Sequence, residues 1–151
     1  MPRRRKIFFG LIGLALVGFI IIQFIPIGTI IPGLKFPGNP PVDPQFQWDS
    51  PQTEQLARAA CYDCHSNESR YPWYANVAPV SWLLYHDINE ARGKLNFSTW
   101  TKQEIDVDNI IDQIEKGVMP KFIYLPLHPE ARLTAERKAL LIAGLQATFA
   151  N

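Results

Sequence analysis

Two cysteines and one histidine form a cluster whose residue types and spacing are suited to chemistry. Cys61 and Cys64 are the two cysteines of the chain, and His65 follows the second one directly. A Cys-x-x-Cys-His run is the attachment pattern of haem c, in which both thiols bond the porphyrin and the neighbouring imidazole binds the iron. The sequence therefore predicts one covalent haem at Cys61 and Cys64, with His65 as the proximal iron ligand.

Two other uses of a Cys-x-x-Cys pair are open at this point. A thiol redox pair usually accompanies a βαβ unit, and no such unit is predicted here. A zinc site needs two more ligands, which His86 and His128 could supply, although they lack the spacing of a zinc finger. We therefore favour haem over either alternative.

The second axial ligand of the iron is predicted to be Met119. This residue lies in Gly117-Val-Met-Pro120, downstream of the cysteine cluster, and the other methionine is Met1. Methionine paired with histidine is the usual ligand set of cytochromes c, and it raises the reduction potential. His86, His128 and an open or water-bound position are the alternatives, and Met119 could instead be an ordinary core residue.

The beginning of the chain is predicted to anchor it in the cytoplasmic membrane. Residues 7–25 are apolar except for Gln23, and residues 3–6 are all basic. As a helix, 19 residues would span about 28 Å, close to the ~30 Å hydrocarbon core of a bilayer. Basic residues hold the N-terminus in the cytoplasm, so the rest lies on the periplasmic or extracytoplasmic side. The alternative is a cleaved signal peptide.

Four segments follow from this organisation. They are a basic cytoplasmic end at 1–6, a transmembrane anchor at 7–25, a Pro/Gly-rich tether at 26–48 and a haem-binding domain at 49–151. The spacing of proline and glycine in the tether predicts neither helix nor strand, and its apolar residues predict packing against lipid or protein.

Charge limits the possible partners of the exported part. From residue 26 onward there are 11 Lys and Arg against 14 Asp and Glu, which is a formal charge of −3. No basic patch for nucleic acid is present, whereas an acidic domain suits a basic protein partner. Arg70, Arg92 and Lys94 are candidate partners for haem propionates.

The domain is predicted to be all-α and cytochrome-c-like, with four helices. Their N-caps and stop residues are recognised from sequence, and no segment alternates as a strand would. The predicted helices are Pro51–Ala60 with cap Ser50, Pro79–Arg92 with stop Gly93, Thr101–Lys116 with a Thr101/Glu104 capping box and stop Gly117, and a last helix after cap Thr134.

Several short motifs accompany the cysteine cluster along the domain. They are Cys61-Tyr-Asp-Cys-His65-Ser-Asn67, Tyr71-Pro-Trp-Tyr74, Asn76, Ala78-Pro-Val-Ser-Trp82, Leu95-Asn-Phe-Ser98, Trp100, Gly117-Val-Met-Pro120, Tyr124 and His128-Pro-Glu-Ala131. Together, over about residues 47–145, they resemble the bacterial haem-binding domain family of small cytochrome-c-like proteins. The resemblance implies covalent haem at Cys61 and Cys64, His65 as ligand, and the Met119-Pro120 loop on the distal side.

These expectations define a function. A haem with both axial positions filled has no open site for chemistry, so we expect a one-electron carrier rather than an enzyme. Its partners would be redox proteins, either soluble or in a membrane complex, with membrane lipid around residues 7–25 and neither nucleic acid nor a small-molecule substrate. The alternatives are a peroxidase-like or ligand-binding enzyme with an open distal site, and a fixed electron-wire subunit of a larger membrane complex.

Overall fold

The computed structural model describes residues 3–43, 47–99 and 104–150. These residues form seven α-helices and several 3-10 turns, and none of them lies in a β-strand. The prediction of an all-α chain is therefore confirmed. The chain divides into two compact units: the first is Met1–Pro37 with Tyr71–Asn89, and the second is Gly38–Arg70 with Glu90–Asn151.

The first unit begins with a long apolar helix, α1, from Arg3 to Ile22. It is long and apolar enough to cross a membrane, and its side chains are largely exposed. The helix ends three residues before the predicted Ile25. The cause is Pro26, which cannot donate a backbone hydrogen bond and disfavours helical geometry in the residue before it.

Short turns follow α1 in the segment predicted as a tether. Residues Ile27–Ile30 form α2, and residues Pro32–Leu34 form a 3-10 turn, so the prediction that this segment contains no helix is wrong. Both turns start at a proline, at the N-cap or the first position, where no N–H donor is needed. The Asn89 side chain donates to the carbonyls of Gly33 (3.2 Å) and Lys35 (2.8 Å), which holds this segment against the rest of the unit.

The second unit contains the cysteine cluster. Its helices are α3 (Pro51–Ala60), α4 (Tyr62–His65), the last residues of α5 (Val80–Lys94), α6 (Val107–Glu115) and α7 (Ala135–Phe149). Helix α7 packs against α3 and α6. The apolar core consists of Leu56, Ala57, Tyr62, Leu95, Phe97, Ile114, Leu141 and Leu145.

Helix starts in this unit are set by side-chain caps. Ser50 Oγ accepts from the Thr53 amide and Thr134 Oγ1 accepts from the Arg137 amide, each at 3.2 Å, as predicted. Helix α6 instead starts after Asp106, whose Oδ1 accepts from the Asn109 amide at 2.9 Å.

Two predicted helix bounds need correction. The third helix was predicted over Thr101–Lys116, but residues 104–106 are not helical and the Asp106 cap starts it at Val107. Thr101 lies outside the described residues. Gly93 does not stop α5, which continues to Lys94. The turn around Gly93 is stabilised by Leu95, whose amide donates to the Ala91 carbonyl at 2.9 Å.

The contact between α7 and α3 depends on a glycine. A Cβ on Gly144 would overlap the buried Thr53 side chain on α3.

We predict that Gly144→Ala lowers the free energy of unfolding by about 1–3 kcal/mol, measured by urea denaturation in detergent. The control is Gly93→Ala, where an added Cβ meets open space. It should leave stability unchanged or raise it by up to about 1 kcal/mol, and equal losses in both variants would contradict the packing argument.

Candidate haem site

The cysteine cluster forms a single helical turn. Cys61 ends α3 and caps α4, and its carbonyl accepts from the amides of Cys64 (3.2 Å) and His65 (2.8 Å). Residues three and four positions apart lie on one side of such a turn. Both cysteines are half-buried free thiols. Cys61, Cys64 and His65 therefore lie on one side of a single helical turn.

His65 is held in the form that binds a metal. Its Nδ1 lies 3.0 Å from the carbonyl oxygen of Leu95. Because a carbonyl only accepts, Nδ1 carries the proton and the lone pair is on Nε2. Burial lowers the pKa of His65, and this outweighs the bonds to the Leu95 and Ala91 carbonyls, which raise it. His65 is thus a neutral imidazole at neutral pH, as metal binding requires.

The thiols do not have the character of a redox pair. Burial, with a smaller effect of the nearby Cys64, raises the pKa of the Cys61 thiol to about 12. Redox-active cysteines depend on a lowered pKa, so this environment disfavours the thiol-redox alternative. Within the described ranges, no set of three His, Cys, Asp or Glu ligand atoms gathers around Cys61 and Cys64, as a zinc site would need.

Asp63, between the two cysteines, connects the turn to two other segments. Its Oδ1 accepts from the backbone amide (3.1 Å) and Nε (3.2 Å) of Arg70, and its Oδ2 accepts from Arg70 Nη2 (3.1 Å). Oδ2 also accepts from the hydroxyl of Tyr124 at 2.6 Å. Burial and this bond to Asp63 raise the pKa of Tyr124, which keeps the hydroxyl protonated as a donor. Sequence reasoning missed the roles of Asp63 and Tyr124.

The two alternative histidine ligands are placed differently. His128 is largely buried and stacks on Tyr124, with ring centroids 3.8 Å apart and planes 5° from parallel. Its Nδ1 lies 3.4 Å from a carboxylate oxygen of Glu130. His86 is exposed on α5 in the first unit, with Nδ1 3.5 Å from Asp87. The structure therefore places His128, but not His86, in the same unit as the cysteine turn.

Met119 follows a tightly defined helix end. Gly117 has a φ of +69°, and the amides of Gly117 and Val118 donate to the carbonyls of Ile114 (3.1 Å) and Gln113 (3.0 Å). This is a Schellman motif, which confirms the predicted stop at Gly117. The Met119 amide also donates to Gln113, at 3.1 Å, and the residue is half-buried.

The segment after Met119 contacts the cysteine turn through Tyr124, which donates to Asp63. Met119 is five residues before Tyr124, in the same compact unit as the turn. The sequence-predicted residues Cys61, Cys64, His65 and Met119 thus belong to one unit.

Comparison with protein families identifies the kind of site. The model of the haem-binding domain family matches residues 17–147, which is most of the chain. The chain therefore belongs to the haem-binding domain family. The resemblance noted from the motifs is confirmed, and the protein is a haem protein. No match was found among curated proteins or solved structures.

The residues of this family member fit a haem. The donor set is two thiols and a neutral imidazole whose Nδ1 is anchored by a backbone carbonyl, the arrangement that orients metal-binding histidines. The three candidate partners of the haem propionates already bind groups of the protein. Arg92 donates to the carbonyls of Ser66 (2.7 Å) and Gly38 (2.9 Å). Arg70 pairs with Asp63, and Lys94 pairs with Glu90 at 2.8 Å. These contacts favour a structural role for Arg92 in particular.

The Asp63 contacts lead to a stability prediction. Asp63→Asn removes the charge that pairs with Arg70 and turns one acceptor into a donor facing other donors. We expect the free energy of unfolding of the haem-loaded protein to fall by about 1–3 kcal/mol. The matched control is Asp112→Asn, which removes an exposed ion pair with Lys116 and should cost no more than about 0.5 kcal/mol. Equal effects of the two substitutions would show that Asp63 is an ordinary surface carboxylate.

Proposed function

We propose that this haem-binding protein is a membrane-anchored, monohaem c-type cytochrome that carries single electrons. Cys61 and Cys64 would hold the haem covalently, His65 would bind the iron on the proximal side and Met119 on the distal side. The observation that carries the proposal is the Cys61–His65 helical turn, in which the Leu95 carbonyl fixes Nδ1 of a neutral His65. A noncovalent haem site would not need two cysteines at this spacing.

Each residue has a distinct task in this scheme. When bound, haem supplies an iron that takes up and releases one electron. Cys61 and Cys64 would each hold the haem through a thioether bond, which would retain the cofactor in a small domain. The Leu95 carbonyl orients the His65 ring and increases its basicity as a ligand. A thioether ligand from Met119 would favour the ferrous state and fill the second axial position.

The protein surroundings would keep the motif rigid. The Tyr62 and Phe97 rings stack with centroids 5.6 Å apart, and Trp48 lies 5.1 Å from Phe97. The Phe97 amide also donates to the His65 carbonyl at 2.8 Å. Rigid surroundings of the ligands lower the reorganisation energy of electron transfer, because few atoms move when the charge on the iron changes. This suits an electron carrier better than an enzyme, which must admit a substrate.

Helix α1 would place this carrier at the cytoplasmic membrane. The basic residues 3–6 would stay in the cytoplasm and the haem domain would lie on the periplasmic or extracytoplasmic side. Confinement at the membrane raises the effective concentration of the carrier near membrane-bound redox partners. The net negative charge after residue 26 suits partners with a basic docking face.

The absorption spectrum of the purified full-length protein tests this function. A carrier with two axial ligands predicts low-spin spectra in both oxidation states, a methionine-to-iron charge-transfer band in the ferric form and full reduction by one electron equivalent. A high-spin ferric spectrum with rapid peroxide turnover would contradict the carrier and favour the enzyme alternative. Co-migration with other subunits in mild detergent would favour the fixed-subunit alternative.

Substitution of Met119 tests the distal ligand. We expect Met119→Ala to lower the reduction potential, abolish the charge-transfer band and allow cyanide or imidazole to bind the iron, because the thioether that stabilises the ferrous state is lost. The control is His128→Phe, which removes the histidine nitrogens while keeping a ring on Tyr124, and should leave the spectrum unchanged. The reverse pattern would assign the distal position to His128.

A further inference from the structure

Several apolar side chains of the first unit are exposed beyond α1. They belong to the segment after α1 and to residues 71–83, and the most exposed are Phe24 (82%), Trp73 (80%) and Ile30 (65%), with Val80 and Leu83 about half exposed. Scattered apolar residues on a surface are ordinary, but groups of large ones mark interaction sites. The electron-carrier function gives these side chains no role.

The same segments contain no formal charge. Residues 7–34 and 71–86 include no Asp, Glu, Lys or Arg, although charged residues make up 19% of the chain. Exposed, uncharged surface with an exposed indole is typical of protein that lies at the boundary between lipid and water, where tryptophan is enriched.

A pair of hydrogen bonds attaches residues 71–83 to the end of α1. Gln23 directly follows α1, and its side-chain Oε1 accepts from the Ala78 amide at 2.9 Å while its Nε2 donates to the Ala78 carbonyl at 3.1 Å. Nε2 also donates to the Phe19 carbonyl within α1, at 2.9 Å. The Gln23 amide therefore fixes the buried Ala78 at the C-terminal end of the helix.

The length of α1 sets the depth of this attachment. Helix α1 runs from Arg3 to Ile22, and its first four residues are basic. The apolar part, residues 7–22, therefore spans about 24 Å, slightly less than the ~30 Å hydrocarbon core of a bilayer. If α1 crosses the membrane, Gln23 lies at the surface where α1 emerges, and so does Ala78. Val80, two residues further on, is then within about 7 Å of that level.

We propose that residues 71–83 form a membrane-interface segment, in which Trp73, Val80 and Leu83 enter the lipid headgroup region beside the end of α1. Gln23 is the positioning residue of this segment. The proposal rests on the membrane-anchored function, because it needs α1 to span the bilayer. Lipid is the expected occupant because the segment is uncharged and hydrogen-bonded to the residue that ends a membrane-spanning helix.

Photochemical labelling from the lipid tests the proposal on the full-length, haem-loaded protein. The protein would be placed in phosphatidylcholine–phosphatidylglycerol vesicles that contain a phosphatidylcholine with a diazirine next to its headgroup. After irradiation and proteolysis, mass spectrometry should find lipid adducts on residues 71–83 as well as at the end of α1. Adducts at α1 alone would overturn the interface segment and leave the anchor intact, and this result is expected if a second copy or another protein covers the segment. Adducts at neither place would overturn the anchor itself.

A variant of Gln23 tests the positioning role. Gln23→Leu keeps α1 apolar but removes both hydrogen bonds to Ala78, so adducts on residues 71–83 should fall about fivefold while those on α1 persist. The control is Gln146→Leu, the same exchange at an exposed position of α7, which should change neither. Unchanged labelling of residues 71–83 in Gln23→Leu would contradict the role of Gln23.

Discussion

The carboxylate of Asp63 joins three segments of the second unit at one point. It lies between the two cysteines, binds the backbone and guanidinium of Arg70 and accepts a 2.6 Å hydrogen bond from Tyr124. A half-buried carboxylate with several charge-assisted bonds is costly to disturb, since each donor would lose its partner. The orientation of the cysteine turn relative to the loop that carries Met119 therefore depends on this group.

Local signals in the sequence were enough to predict much of the helical frame. Ser50, Thr134 and Gly117 act on backbone groups within five residues of themselves, so their roles can be recognised without knowledge of the tertiary structure. The predicted helix bounds were wrong where contacts outside these local signals determine the structure. Gly93 remains helical although glycine often ends helices, and the tether is held by Asn89, more than 50 residues away in the chain.

In the candidate site, too, local features could be predicted from the sequence and contacts between distant residues could not. Cys61, Cys64 and His65 could be predicted as a site because the haem c attachment pattern is a spacing of a few adjacent residues. The pairing of Asp63 with Tyr124 joins residues 61 positions apart, and no local pattern marks either one as a partner. The burial that keeps His65 neutral likewise comes from packing, which residue spacing does not encode.

We propose that a haem is bonded covalently to this chain through Cys61 and Cys64. The most direct measurement is the intact mass of the full-length protein, produced with a haem c attachment system and then unfolded in denaturant with reductant. We expect the chain mass plus one haem for the native sequence. For Cys61→Ser combined with Cys64→Ser we expect the unmodified chain mass. Release of the haem on unfolding, with the native sequence at its unmodified mass, would contradict covalent attachment.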